Sequence, residues 1–263
     1  MIFESAGASI IVPLMGTTPQ VLVEEAIEAE KAGADVVEWR VDFLFGDHPN
    51  FSFSSLGREI IPQILKAVSL PLLLTIRTSI QGGEIKLSTG RYRLLLAEML
   101  DTLMQLRVPA ERIGVDIEFW YEGAPDLVKR ALELGYTPVV SDHNWSETPD
   151  SDVLEMMFEE MLEMDDVVAK LAVTAMDESD VDRLLEVTEK VTKKTGRPVI
   201  AVSMGPLGTR ARIEGWRYGS VATFAAVSRQ SAPGQPSIVE LRKQLAEAGV
   251  ALAAAEDEND SED

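Results

Sequence analysis

The stretch TPVVSDHNWSETPDSDVLEMMFEEMLEMDDVVAKLAV, residues 137–173, decides the fold. It begins and ends with short runs rich in β-branched residues, and a longer helical pattern separates them. A strand, a helix and a second strand of this kind form a parallel βα unit, whose strands are buried on both faces. The stretch therefore predicts an α/β protein.

The same alternation continues on both sides and gives eight candidate strands. They cover residues 9–16, 35–42, 71–78, 112–119, 137–144, 166–173, 198–205 and 220–227. Eight βα units close into a (β/α)8 barrel, the TIM-barrel fold, which takes about 250 residues as one domain. We therefore expect a single catalytic barrel domain over residues 1–250, followed by an acidic tail at 251–263 whose composition predicts disorder.

The composition excludes several classes of function. The 263 residues carry 44 acidic and 24 basic side chains, a formal net charge of −20, which repels nucleic acid and anionic membranes. Cysteine is absent and only His48 and His143 occur, which argues against thiolate and histidine-rich metal sites. No apolar run is long enough to span a bilayer, and the N-terminus lacks the basic region of a signal peptide.

These features predict a cytoplasmic protein. The acidity further suggests a salt-rich cytoplasm, where ionic strength screens self-repulsion, so thermal unfolding should be easier at low salt than in molar salt.

Barrel active sites lie at the carboxyl ends of the strands, where Lys170 and His143 are expected. Burial within DVVAKLAV lowers the pKa of Lys170 and makes it a nucleophile for ketones, whereas the structural alternative is a snorkelling or carboxylate-paired lysine. His143 ends the preceding strand and can act as general acid and base, although alone it fits a polar turn equally well. Met204 and Phe224 could line the pocket, but residues of these types are more often ordinary core.

Charged residues at alternate positions mark two further strands. Glu38, Arg40 and Asp42 share one face of VVEWRVD. For Asp42 an ion network is favoured over catalysis, while a carboxylate here could orient His143 or a substrate hydroxyl. Asp116 and Glu118 share a parity in RIGVDIEF, and we interpret them as a structural network.

Three loops after strands offer groups for a polar ligand. Arg77 precedes the glycine-containing loop SIQGGE. Arg212, in the loop SMGPLGTRARIEGW, can bring a guanidinium over the barrel mouth to bind a carboxylate, with Arg210 as a competitor. Ser231 and Gln235 in SAPGQ supply a hydroxyl and an amide, although that segment alone is simply a turn.

Seven motifs follow one another in a specific order: EWRVD at 38–42, TIRT with QGGE, DHNW, AKLAV, VSMG, ATF at 222–224, and SAPGQ. Together they resemble the type I 3-dehydroquinate dehydratases, from the first strand to the last helix. The resemblance implies that Lys170 forms a Schiff base with the C3 ketone of 3-dehydroquinate. It implies that His143 removes a C2 proton and assists departure of the C1 hydroxyl, and that imine hydrolysis then releases 3-dehydroshikimate.

The resemblance also implies a homodimer that needs neither metal nor cofactor. The substrate contacts it implies are Glu38, Arg40, Arg77, Arg212, Ser231 and Gln235.

Two positions depart from the family pattern. Gln81 stands where members often have glutamate before the glycine pair, and Pro13 stands where others have serine. If residue 81 approaches His143, the missing carboxylate no longer favours the imidazolium. We therefore expect the ascending limb of the pH profile at lower pH, and a shift of that limb in a Gln81→Glu variant.

Two rival functions stay open at this point. A lysine-dependent aldolase acting on sugar phosphates shares the fold and the imine chemistry, but it typically needs a phosphate cradle after strands seven and eight, where Arg212 and SAPGQ suit a carboxylate and hydroxyls better. A catalytically inert barrel that binds or assembles would have no use for Lys170 and His143 together. Borohydride trapping separates an imine-forming enzyme from an inert barrel.

Overall fold

Eight parallel strands form the centre of the computed structural model, which describes residues 1–3, 8–45, 52–227, 229–232 and 234–250. They are β1 (Ser9–Leu14), β2 (Val36–Arg40), β3 (Leu72–Thr75), β4 (Ile113–Glu118), β5 (Thr137–Asn144), β6 (Val168–Thr174), β7 (Val199–Met204) and β8 (Ala222–Phe224). The hydrogen-bonded order is β7-β6-β5-β4-β3-β2-β1-β8. A parallel bridge between Val199 and Ser220 brings β7 beside the segment that enters β8. The predicted single-domain (β/α)8 barrel is confirmed.

Helices surround the strands. They are α1 (Pro19–Lys31), α2 (Asp42–Phe45), α3 (Phe53–Ala67), α4 (Thr89–Leu106), α5 (Ala124–Glu133), α6 (Ser151–Leu162), α7 (Glu178–Thr195), α8 (Thr209–Glu214) and α9 (Ile238–Glu247). Helix α1 shows the local rules. Thr18 accepts a hydrogen bond from the Val21 backbone N–H, proline occupies the first turn, and Leu22, Ala26 and Ala29 form the buried face.

Apolar side chains pack in two layers, one between strands and helices and one inside the barrel. Trp39 and Phe158 belong to the outer layer. Ile2 and Phe3 join the inner layer, and the Ile2 N–H donates to Thr137 Oγ1 at 3.2 Å, at the start of β5. The amino-terminal end of the barrel is thereby closed, and polar groups gather at the other end.

Seven of the eight strands are shorter than predicted, and at β2 the difference bears on the site. Strand β2 ends at Arg40, and Asp42 begins a short helix, so only Glu38 and Arg40 share the strand face. The Asp42 carboxylate turns back onto Arg40 and accepts hydrogen bonds from the backbone N–H groups of Arg77 and Glu84 at 3.3 and 3.2 Å.

Arg212 lies in helix α8 and not in an irregular loop. The run TRARIE consists mainly of good helix formers, and glycines on both sides limit it to six residues.

No helix in the described ranges is long and apolar enough to cross a membrane. The acidic tail at 251–263 and His48 lie outside the described residues, so the predicted disorder of the tail stays a prediction.

Candidate active site

A pocket opens at the carboxyl ends of the strands. All eight residues predicted as catalytic or substrate-binding lie in its wall, although their roles stay predictions. They are Glu38, Arg40, Arg77, His143, Lys170, Arg212, Ser231 and Gln235. No group of three or more histidine, aspartate or glutamate side chains that could hold a metal occurs among the residues that the structure describes.

Lys170 and His143 reach the pocket from neighbouring strands. In the parallel register of β5 and β6, Lys170 is the partner of Ser141 and His143 is the partner of Ala172, so both side chains are on the interior face. Lys170 is only 4% exposed. Its Nζ lies 3.4 Å from Asp116 Oδ2 and 4.6 Å from the centre of the Phe224 ring.

Burial lowers the pKa of Lys170 by more than the negative charge of Asp116 raises it. A larger fraction of the side chain is therefore the free amine near neutral pH, which is the form that attacks a carbonyl carbon.

Beneath the pocket, Arg77 holds the two carboxylates of β4. Its guanidinium contacts Asp116 at 2.7 Å and Glu118 at 3.0 Å, and it also donates to Ser141 Oγ at 3.0 Å. Burial alone would raise the pKa of Asp116, but the charges of Arg77 and Lys170 outweigh burial and lower it. The Asp116 carboxylate therefore links the predicted nucleophile to a buried cation that also pairs with Glu118.

We expect Asp116→Asn to lower the free energy of unfolding at pH 7 by about 3–5 kcal/mol, because it leaves two buried cations without their shared carboxylate. The folded-state pKa of Asp116 is lowered, so its contribution is present above the unfolded pKa near 3.8 and is lost as the pH falls below it. Urea unfolding of wild type and variant at pH 7 and pH 3 checks both points.

Asp126→Asn is the matched control. Asp126 pairs with Arg93 at 3.6 Å on the surface, where an ion pair contributes about 0–1 kcal/mol. Equal losses in the two variants would contradict a special role for the buried carboxylate.

His143 is held by Gln81. The backbone N–H of His143 donates to Gln81 Oε1 at 2.6 Å, and its ring Nδ1 lies 3.1 Å from the same oxygen. Burial, together with the positive charges of Arg77, Lys170 and Arg40, holds the pKa of His143 well below its usual 6.5. The imidazole is therefore neutral at pH 7 and able to accept a proton.

The glycine pair after Gln81 brings this loop close to β3. Gly82 has a φ of +84°, and a Cβ on Gly83 would lie 1.9 Å from the carbonyl oxygen of Arg77. A side chain at residue 83 would push the loop outward and move Gln81 away from His143.

Arg212 is a buried cation without a counter-ion in the described ranges. It is 3% exposed, its Nη1 donates weakly to the Phe224 carbonyl at 3.4 Å, and its Nε and other terminal nitrogen have no partner there. Burial lowers the pKa of Arg212 to about 10. The competitor Arg210 instead pairs with Asp182 near the surface. Arg212 is therefore the guanidinium available to an anion in the pocket.

The other predicted contacts are already engaged within the protein. Arg40 makes a two-point pair with Asp42, at 2.8 and 2.7 Å, and Glu38 accepts from Thr75 Oγ1 at 2.8 Å. These hydrogen bonds hold both side chains in place, and both side chains line the pocket.

The segment after β8 is braced by Gln235. Its Oε1 accepts from the backbone N–H and the hydroxyl of Ser231, at 2.8 and 3.1 Å, and its Nε2 donates to the Ala225 carbonyl at 3.0 Å. Gln235 therefore positions Ser231 as much as it lines the pocket.

Sequence reasoning missed or undervalued several residues here. Met204 and Phe224, for which the core was favoured over the pocket, line the pocket. Trp145 lines it too, and its indole occupies the space that a side chain on Gly82 would need; its position two residues after His143 was the available signal. Asp142 accepts a hydrogen bond from Gln81 Nε2 at 2.7 Å. Strand alternation places Asp142 on the opposite face from His143, so the sequence pattern did not indicate it as a site residue.

The chain is similar to known proteins over nearly its whole length. A model of the type I 3-dehydroquinase family matches residues 10–251. The 3-dehydroquinate dehydratase of Listeria monocytogenes (serotype 4a, strain HCC23) is 33% identical over 249 residues, covering 92% of this chain and 93% of that protein. That of Clostridioides difficile (strain 630) is 31% identical over 238 residues, covering 90% of each.

A solved structure extends the similarity to the fold. Type I 3-dehydroquinate dehydratase from Clostridium difficile, with covalently modified comenic acid, aligns with a TM-score of 0.83 at 28% identity, covering 95% of this chain and 96% of that one.

A closed parallel barrel with a buried lysine and a histidine in one pocket defines a class of α/β-barrel enzymes. Within that class, the match over residues 10–251 is specific. The chain belongs to the type I 3-dehydroquinase family, as the sequence motifs indicated.

Proposed function

We propose that this protein converts 3-dehydroquinate to 3-dehydroshikimate through a Schiff base on Lys170, with His143 as general acid and base. The observation that carries the proposal is the placement of a buried, pKa-lowered lysine and a neutral histidine on adjacent strands of one pocket. Membership of the family supplies the substrate and the overall reaction.

The reaction begins with the free amine of Lys170. Its Nζ attacks the C3 ketone, and loss of one water gives the iminium. The iminium acidifies the neighbouring C2 position, His143 takes a C2 proton, and an enamine forms. The protonated imidazole returns a proton to the C1 hydroxyl, which leaves as water as the electrons of the enamine move back. A second water hydrolyses the imine, releases 3-dehydroshikimate and restores Lys170.

Charged groups around the amine suit this sequence. Asp116, 3.4 Å from Nζ, remains a carboxylate because its pKa is lowered, and it can balance the positive iminium. Arg212 has no counter-ion in the described part of the chain, so we assign it to the substrate carboxylate.

Trapping with sodium borohydride tests the function. Purified protein is mixed with 3-dehydroquinate, enone absorbance is followed in one sample, and borohydride is added to a parallel sample for peptide mass analysis. Enone formation together with a reduced adduct on Lys170 is the expected result. Neither product, in low and in molar salt, would overturn the proposal.

We expect Arg212→Met to raise KM for 3-dehydroquinate by roughly 10- to 100-fold, the value of a charge-assisted hydrogen bond to a carboxylate. The substitution keeps an apolar side chain of similar length and removes a buried cation, so the fold should be retained. Steady-state kinetics with Arg210→Met as the control checks this, because Arg210 pairs with Asp182 away from the pocket. Similar KM changes in both variants would refute the assignment.

The homodimer, the cytoplasmic location and the adaptation to salt stay predictions. Sedimentation velocity checks the first, and thermal unfolding in low and molar salt checks the last.

A further inference from the structure

We propose that Gln81 and Asp142 form a matched amide–carboxylate pair that fixes His143 as its Nδ1–H tautomer, and that residue 81 accepts a carboxylate only when residue 142 becomes an amide. The catalytic meaning of the tautomer rests on the proposed function. The tautomer itself and the coupling of the two side chains do not.

The orientation of the Gln81 amide is fixed from both ends. The backbone N–H of His143 can only donate, and it meets Oε1 at 2.6 Å. The carboxylate of Asp142 accepts, and it meets Nε2 at 2.7 Å. If the amide were flipped, its NH2 group would face the backbone N–H of His143, donor against donor. Its carbonyl oxygen would face the Asp142 carboxylate, acceptor against acceptor. Because Gln81 and Asp142 are 7% and 6% exposed, water offers little compensation for those losses.

This orientation determines the histidine tautomer. Gln81 Oε1, which can only accept, lies 3.1 Å from His143 Nδ1, so the neutral ring carries its hydrogen on Nδ1. The lone pair is then on Nε2, across the ring, as a general base requires. Gln81 and Asp142 are thus positioning residues for His143.

Further charged groups line the same pocket as His143. They are Glu38, Arg40, Arg77, Lys170 and Arg212. Four of the five are basic groups, and three of these lower the pKa of His143, so the neutral tautomer is the form present near neutral pH.

A glutamate at residue 81 would conflict with Asp142. One of its oxygens would replace the Nε2 atom that now lies 2.7 Å from Asp142 Oδ1, and two buried carboxylates in contact cannot both stay ionised without cost. The second substitution Asp142→Asn would remove the conflict, because the new amide donates to the new carboxylate. The acid and the amide can exchange places, but only together.

The tautomer is measured by nitrogen-15 NMR of the histidine ring. The chain has only two histidines, so untagged His48→Gln protein labelled with [15N]histidine gives the signal of His143 alone. Long-range proton–nitrogen correlation near neutral pH should show a protonated Nδ1 and an unprotonated Nε2. A proton on Nε2 overturns the proposal.

The coupling is measured in a double-mutant cycle of Gln81→Glu, Asp142→Asn and the double variant. With aspartate at residue 142, Gln81→Glu should lower kcat roughly tenfold and lower the thermal midpoint of unfolding. With asparagine at residue 142, the same substitution should lower kcat by less than about threefold and change the thermal midpoint little. The ascending limb of kcat should lie at higher pH in the double variant than in wild type, because a carboxylate then faces the imidazole.

Equal costs of Gln81→Glu in both backgrounds, in kcat and in thermal midpoint, would overturn the pairing. If wild type had no dehydratase activity but gave the expected tautomer and the expected thermal coupling, the proposed function would fail and this inference would stand.

Discussion

Replacing Lys170 by methionine should lower kcat for dehydration by roughly 10⁴-fold or more and remove the borohydride-reducible adduct. No other lysine lines the pocket described here, so without this amine the C2 proton has no iminium to acidify it. Methionine fills the same length of apolar wall. Asp116 keeps its contact with Arg77 at 2.7 Å, so the carboxylate is not left without a cation.

The measurement combines enone absorbance with peptide mass after reduction. Unfolding in urea shows whether the variant is folded, and we expect little loss, because exchanging a buried cation for an apolar side chain is often neutral or stabilising. Lys66→Met, on the exposed face of α3, is the matched control and should keep both rate and adduct. An adduct that persists in Lys170→Met would place the nucleophile elsewhere.

The barrel fold, and the end of the barrel that holds the pocket, were predictable from the sequence because both depend on local patterns. Short buried strands alternate with amphipathic helices, and the rule that barrel sites lie at the carboxyl ends of strands selects which polar residues matter. His143 is the residue before the last in β5, and Lys170 lies in β6. Because consecutive strands of a parallel barrel lie side by side, the sequence was enough to place both residues in one pocket.

Contacts made by loops were not predictable in the same way. Asp142 alternates with His143 along β5, so strand periodicity assigns it to the face away from the pocket. It joins the site only because the loop after β3 bends back, with Thr78 paired to Ile85, and brings Gln81 over the strand end. The path of that loop depends on close packing of Gly83 against Arg77, which no local pattern encodes.

Which of the buried arginines have carboxylate partners could be seen only in the structure. Arg77, at the end of a predicted strand, and Arg212, in a predicted loop, were both expected from the family resemblance to bind substrate. Arg77 forms ion pairs with Asp116 and Glu118, whereas Arg212 has no carboxylate partner in the described ranges, and its one hydrogen bond goes to the Phe224 carbonyl. The difference comes from which strands place carboxylates nearby, and no local sequence pattern around Arg212 predicts that it lacks one.

Exchange of His143 for glutamine should separate the two halves of the reaction. We expect kcat to fall by about 10²- to 10⁴-fold, the usual contribution of a positioned general acid–base group, while borohydride still traps an adduct on Lys170. The amine keeps its partner Asp116 at 3.4 Å, so the ketone can still condense, but no imidazole removes the C2 proton. The imine therefore accumulates in the variant.

The pH profile gives the second readout for this variant. Burial and the charges of Arg77, Lys170 and Arg40 lower the pKa of His143, so in wild type kcat should stay level down through about pH 6.5 and fall only below it, where the imidazolium can no longer accept a proton. That limb should vanish in His143→Gln. A variant that retains the limb would show that a group other than His143 titrates there. A variant that loses adduct and turnover equally would show that His143 acts in imine formation and not in proton transfer at C2.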